Sequence, residues 1–435
     1  MFIYLIKTFD SIKKNVAIHG AIYRSLGILL SSFSSFYAIK VIFETAKGFE
    51  SILILVISLA FSLSLFTFGL GRPLYAEVKA RYTQEDLIKL DLSMPIFITM
   101  IFPLFGVLGF VSISIFYLYF SDSISVIIDV TLFSSSIGLF YMGLFQRDLL
   151  YAIDHEAVFE ICEVLRKGCL LISLYVLSST SSYYYFFLIA LITSCLLYYV
   201  PILQIKVYQQ KRKLYFYQRL KAYVSELFVN GKHYFFFMVF ELSMYNLPLL
   251  FFVFKDDKAG IILFSIWMRL FQIAVLPSRI FIDAMLNKNI KIYMENQLKK
   301  SKILIMKTAV LGGLLSVLCL YVLWRYKYVI FDWLSIGDII NTKYFFMAVI
   351  IWAFANSIHH TFGSFLVSCG NGFKYALYSS AVTVCVMSIL GFVFLFITLT
   401  PAEFILAMGL VYLSRVYSVI NPSWELLNAE TREHK

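Results

Sequence analysis

The stretch SMPIFITMIFPLFGVLGFVSISIFYLY, residues 93–119, runs for 27 residues without one charged side chain. As a helix rising ~1.5 Å per residue it is about 40 Å long, more than the ~30 Å hydrocarbon core of a bilayer. Soluble helices average only about 11–12 residues. The stretch therefore predicts a membrane span, and the flanking sequence repeats the pattern. Charge clusters or Gly/Pro/Ser breaks close further apolar runs. Twelve helices are expected, over 18–42, 50–69, 93–119, 124–145, 157–178, 183–203, 232–254, 259–284, 303–323, 344–367, 374–398 and 401–421. The fifth is the least apolar, because Glu160, Glu163, Arg166 and Lys167 lie in its first half.

Composition supports the same class. The 435 residues are 60% hydrophobic and 14% charged, with a mean hydropathy of +0.82. Soluble domains carry about 25% charge. The fold class expected is an all-α polytopic membrane protein with two six-helix lobes. The alternation of an outer-membrane barrel is absent. The six cysteines lie in apolar stretches without a Cys-x-x-Cys pair and read as small core residues, not disulfides or zinc ligands. Residues 1–15 have no apolar core behind their charges, so a short amphipathic lead-in is expected instead of a cleaved signal peptide.

Orientation follows from the cations. With both termini cytoplasmic, 23 of the 37 Lys and Arg residues fall in inside loops. Six fall outside: Lys47, Lys255, Lys258, Arg325, Lys327 and Lys343. The basic loops face anionic lipid and absorb most of the net charge of +11, so no nucleic-acid partner is required. The expected layout is a first lobe over 1–203, a basic interfacial linker over 204–231, a second lobe over 232–421 and a cytoplasmic tail over 422–435. No loop is long enough for a soluble catalytic domain. No phosphate-binding GxxxxGK[ST] loop occurs, and no cofactor or metal constellation is expected.

Charges at bilayer depth are costly and by default face a cavity or a partner. Arg269 and Glu241 fall near the midplane, about 15 Å and 14 Å into their spans. Arg166 and Lys167 lie at a similar depth. Arg24 and Arg415 lie about 9 Å in from the cytoplasmic side. Lys40 and Arg279 are near span ends and can snorkel, as can Lys307. Glu163 can neutralise Lys167 or Arg166 on one helix face. Arg269 and Glu241 can be read as a buried structural pair. Even so, the cations Arg24, Arg166, Lys167, Arg269 and Arg415 outnumber the deep acids Glu160, Glu163 and Glu241. This excess suits an anionic substrate, and guanidinium groups match phosphate oxygens. Glu241 is a candidate for proton or cation coupling. His359 and His360 read as packed or hydrogen-bonded. Pro95, Pro103, Pro248 and Pro277 are candidate hinges or ordinary kinks.

Phe68-Gly69-Leu70-Gly71-Arg72-Pro73-Leu74, followed by Ala76, Lys79 and Arg81, resembles the loop after the second helix of Wzx-type polysaccharide flippases. These belong to the multidrug/oligosaccharidyl-lipid/polysaccharide exporter superfamily. The resemblance implies a V-shaped pair of six-helix lobes around a cationic central cavity in a bacterial inner membrane. It implies an undecaprenyl-pyrophosphate-linked oligosaccharide, such as an O-antigen repeat unit, flipped to the periplasmic leaflet by alternating access. The headgroup would meet Arg24, Arg166, Lys167, Arg269 and Arg415, and the working partners would include a polysaccharide polymerase and chain-length regulator. Two other readings remain open. One is an ion-coupled drug or metabolite antiporter of the same fold, which would favour deep acids. The other is a membrane-embedded polymerase or acyltransferase, which only the His359-His360 pair keeps open.

Overall fold

A computed structural model describes residues 16–60, 63, 70–84, 92–118, 124–207, 216–334, 342–368 and 372–433. The expected amphipathic lead-in, Phe68 and Gly69 of the flippase-like motif, and Cys369 lie outside the described residues. The described chain is helical. In order it forms α1 (Val16–Thr45), α2 (Glu50–Leu59), α3 (Gly71–Gln84), α4 (Ser93–Leu118) and α5 (Ile124–Tyr141). A 3-10 turn, Met142–Gln146, leads to α6 (Arg147–Ala152), α7 (Glu156–Thr180) and α8 (Tyr183–Val207). Then come α9 (Phe216–Phe254), α10 (Lys258–Met294), α11 (Leu298–Arg325), α12 (Lys327–Leu334), α13 (Thr342–Ser368), α14 (Gly372–Phe396) and α15 (Pro401–Glu433).

Each of the twelve expected segments falls on a helix. Among the described residues, nine helices are long and apolar enough to cross a membrane. The other three have identifiable reasons. α7 carries Glu156, Glu160, Glu163, Arg166 and Lys167 in its first half, the apolar part of α8 is short, and α2 is described only as far as Leu59. Pro103, Pro248 and Pro277 lie inside helices, as expected of kinks or hinges. Pro95 does not interrupt one: it sits in the first turn of α4, where its missing N–H costs nothing.

The chain divides into two compact units, Met1–Met238 and Val239–Lys435. The boundary falls inside α9, which carries the end of the expected linker without a break into the expected seventh span. Only Gly231 punctuates that stretch, and a single glycine costs about 1 kcal/mol in a helix, too little to end one. α15 likewise continues through the expected tail.

In the first unit α1 packs on α7, α7 on α8, α5 on α8 and α4 on α5. In the second, α13 packs on α15, α10 on α11, and α11 on α13. Small residues let these helices approach closely. A Cβ on Gly313 of α11 would press into the ring of Phe354, and one on Gly409 of α15 into the indole of Trp352. Aromatic rings fill the second unit: Phe394 and Phe404 stack at 3.9 Å, and Trp267 meets Trp352 edge-on at 4.7 Å. The cysteines bear out a core position only at Cys162. Cys169, Cys195 and Cys319 are half-buried, and Cys385 is exposed.

The part of the flippase-like motif that is described opens α3. A Cβ on Gly71 would overlap the Asp148 carboxylate of α6, on which α3 packs. Further along α3, Lys79 Nζ donates to Asp154 Oδ1 at 2.5 Å. That hydrogen bond holds the Lys79 ammonium above its ordinary pKa. The glycine and the lysine thus dock a short polar helix that was expected only as a basic segment.

Candidate functional site

The deep charges gather into one cluster within each unit. In the second unit, Glu241 of α9 faces Arg415 of α15 and Ser380 of α14. Both terminal guanidinium nitrogens of Arg415 reach the carboxylate, Nη1 donating to Oε2 at 3.3 Å and Nη2 to Oε1. Ser380 Oγ donates to Glu241 Oε1 at 2.8 Å. Arg415 is 1% exposed, and the Glu241 side chain keeps 23% exposure. A forked contact of this kind is the strong form of a carboxylate–guanidinium pair. The alternative that paired Glu241 with Arg269 is therefore corrected. Arg269 is buried on α10 and donates from Nη1 to the Ser265 carbonyl at 2.7 Å.

Beside this pair lies a polar hub that the sequence did not reveal. Asn356 Nδ2 donates to the hydroxyls of Tyr245 and Tyr412, each at 3.0 Å. Its Oδ1 accepts from Arg279 Nη2 at 3.3 Å. The Tyr412 ring stacks on Trp352 at 4.7 Å. Arg279 is exposed and ends on this amide. His360 Nε2 lies 3.0 Å from Asp283 Oδ1, and His359 packs near Tyr412, as expected of hydrogen-bonded and packed histidines. Single polar residues inside apolar runs carry no spacing signal, so Asn356, Ser380 and the two tyrosines could not be singled out.

In the first unit, α7 carries the cluster. Arg166 pairs with Glu163 one turn earlier, so of the two local partners considered it is Arg166, not Lys167, that takes the acid. Arg166 is 0% exposed and its guanidinium rests on Gly143 of the 3-10 turn. Lys167 is buried too, with Nζ 3.6 Å above the centre of the Tyr141 ring. Arg166 and Lys167, expected to line an open cavity, are thus enclosed. Gln146 donates to the Tyr198 carbonyl and ties the turn to α8. Gly143 is required here, because any Cβ would overlap the Arg166 guanidinium. Gly143→Val is expected to destabilise the protein by about 1–3 kcal/mol, the usual cost of overpacking. Thermal unfolding of the purified variant checks this.

Arg24 differs from the other four cations: its side chain is exposed. It projects from α1, which packs on α7. Glu160 is buried and accepts a hydrogen bond from the Tyr151 hydroxyl.

No family model matches the chain, and no curated protein matches it by sequence. Solved structures do match. An inward-facing multidrug resistance MATE family transporter of the MOP superfamily superposes with a TM-score of 0.68 at 10% identity, over 95% of this chain and 99% of that one. An outward-facing MATE family transporter gives 0.64 at 12% identity, over 96% of each chain. A MATE protein in a bent conformation gives 0.62 at 11%, over 97% of this chain and 96% of that one. The chain therefore has the MATE-like, two-lobed fold found in the multidrug/oligosaccharidyl-lipid/polysaccharide superfamily.

Proposed function

We propose that this protein translocates an undecaprenyl-pyrophosphate-linked oligosaccharide, an O-antigen or similar repeat unit, from the cytoplasmic to the periplasmic leaflet by alternating access. The charge balance at bilayer depth is the observation that carries the reading. Each deep acid already has a partner: Glu163 has Arg166, Glu241 has Arg415, and Glu160 has the Tyr151 hydroxyl. Positive charge is left over at Arg24 and Lys167. Of these Arg24 is the exposed one, and so the residue best suited to a phosphate of the headgroup. Within the same unit, the enclosed Lys167 adds to the positive charge. The solved structures that share this fold are MATE family transporters, which favours carriage over catalysis. In this reading the working partners are the lipid-linked glycan, anionic membrane lipids, and a polysaccharide polymerase with its chain-length regulator.

Glu241 is proposed as the coupling group. Its partial exposure beside Ser380 allows the carboxylate to exchange Arg415 for a proton or cation during the cycle. The same exposure favours a second reading, an ion-coupled drug or metabolite antiporter. One experiment separates the two: expression in flippase-null strains of known glycan chemistry. Restored surface polysaccharide supports the flippase. Lowered drug accumulation with no polysaccharide supports the antiporter.

The proposed location is the bacterial inner membrane with both termini cytoplasmic. Reporter fusions are expected to show cytoplasmic activity near Lys213 and periplasmic activity near Asp256 and Gly337. Reversal at any two of these sites would overturn the topology.

A further inference from the structure

Two polar rungs cross the seam between α10 and α13. Arg279 donates to Asn356, and one turn further along both helices Asp283 meets His360. Both steps are four residues, so the rungs stack on one face. Beside them in the core, Ser357 Oγ lies 3.0 Å from Ser278 Oγ and 2.8 Å from Ser316 Oγ. The Asp283–His360 rung differs from the others in holding a histidine, the side chain type that changes charge near neutral pH. Both of its members are in reach of water: 30% of the His360 side chain and 48% of the Asp283 side chain are exposed. Both helices are long and apolar enough to cross a membrane. Histidine and carboxylate side chains in such helices mark proton paths.

The contact decides which ring nitrogen is open. An ionised carboxylate only accepts, so Nε2 carries the hydrogen that reaches Asp283 Oδ1 at 3.0 Å. Nδ1 is then the lone-pair nitrogen, with Ser364 Oγ 3.5 Å away. The other charges around α13 are engaged elsewhere or turned outward. Arg279 ends on Asn356. His359 packs near Tyr412 of α15, and Arg415 of the same helix is held by Glu241. α11 lays Lys302 over Trp424 and exposes Lys307. Tyr378 of α14 is exposed.

We propose that the Asp283–His360 pair is a proton-binding site of the second unit, separate from Glu241, which strengthens the α10–α13 seam when loaded. His360 Nδ1 takes a proton from water. The neutral hydrogen bond to Asp283 then becomes a charge-assisted one, roughly twice as strong. Release of the proton to water returns the weaker bond. The inference goes beyond the choice of cargo and holds for a flippase and an antiporter alike.

The test uses the full-length protein in lipid nanodiscs, with the proton itself as the ligand. Titration from about pH 8 to pH 5 is expected to load about one proton fewer per chain in His360→Gln than in wild type. In nitrogen-15 histidine spectra, the ring signal missing from His360→Gln is expected to pass from one protonated nitrogen to two over that range. Equal uptake, or a ring signal that stays in one state, would overturn the proton site. Fixing the charge separates a working site from a structural bond. His360→Gln holds the side chain neutral, and His360→Lys holds it cationic. At matched abundance both are expected to lose transport, read as the surface polysaccharide or drug efflux that the wild-type chain supports. Wild-type transport by either variant would overturn the cycling role and leave a fixed bond in its place. Failure of the wild-type chain to restore either readout would overturn the proposed function, while the titration still decides the proton site.

Discussion

Arg415→Ala is expected to destabilise the second unit by about 3–5 kcal/mol, the usual result of stripping one partner from a buried ion pair. The loss comes less from the missing attraction than from the carboxylate left behind. Without Arg415, Glu241 keeps only the Ser380 hydroxyl. The double variant Arg415→Ala, Glu241→Gln is expected to recover much of the stability, because the orphaned charge is gone. Glu241→Gln alone leaves the Arg415 guanidinium with the Ser380 oxygen as an acceptor, at 2.9 Å. It is expected to slow transport with little change in protein level, in keeping with a coupling role. Chemical denaturation of the purified single and double variants measures the stability cycle. Additive losses would show that the two side chains do not act as a pair.

Arg24→Ala is expected to reduce surface polysaccharide sharply without lowering protein abundance. An exposed guanidinium contributes little to folding, so its loss bears on the substrate. One charge-assisted contact contributes roughly 1.5–3 kcal/mol, which corresponds to about 10- to 150-fold in binding. Arg24→Lys keeps the charge but loses the planar fork and is expected to fall between Ala and wild type. Arg269→Ala is expected to behave differently. That guanidinium is buried and bonded to its own helix, so its removal costs stability as well as export. Equal export by Arg24→Ala and wild type at matched abundance would remove Arg24 from the substrate path.

The helices were legible because apolar runs and charge clusters are local signals. Residues 93–119 state their fate alone, and α4 follows them to within one residue at the C-terminal end. α7 was legible despite its charges, since Glu163 and Arg166 are spaced to pair on one face, and they do. Long-range partners were not legible. Glu241 and Arg415 lie 174 residues apart and meet only because α9 and α15 bring them to one level. Depth alone favoured Arg269 for Glu241, since both fall near the midplane. What depth omits is rotation about the helix axis, and rotation decided the pairing. The same omission turned Arg166 and Lys167 from expected cavity cations into enclosed ones. Exposure at Arg24, the hub at Asn356 and the seat under Arg166 at Gly143 are all properties of packing, and single-residue patterns do not encode them.

A cargo that is a lipid-linked glycan with an anionic headgroup leaves its mark on the lipid intermediates of a strain lacking this chain. Inverted and right-side-out vesicles from that strain are treated with a membrane-impermeant glycan-modifying enzyme, and the lipid-linked repeat units are counted on each leaflet. Single repeat units are expected to accumulate on the cytoplasmic leaflet, relieved by the wild-type chain and not by Arg24→Ala. Single units on the periplasmic leaflet, or no accumulation at all, would contradict it.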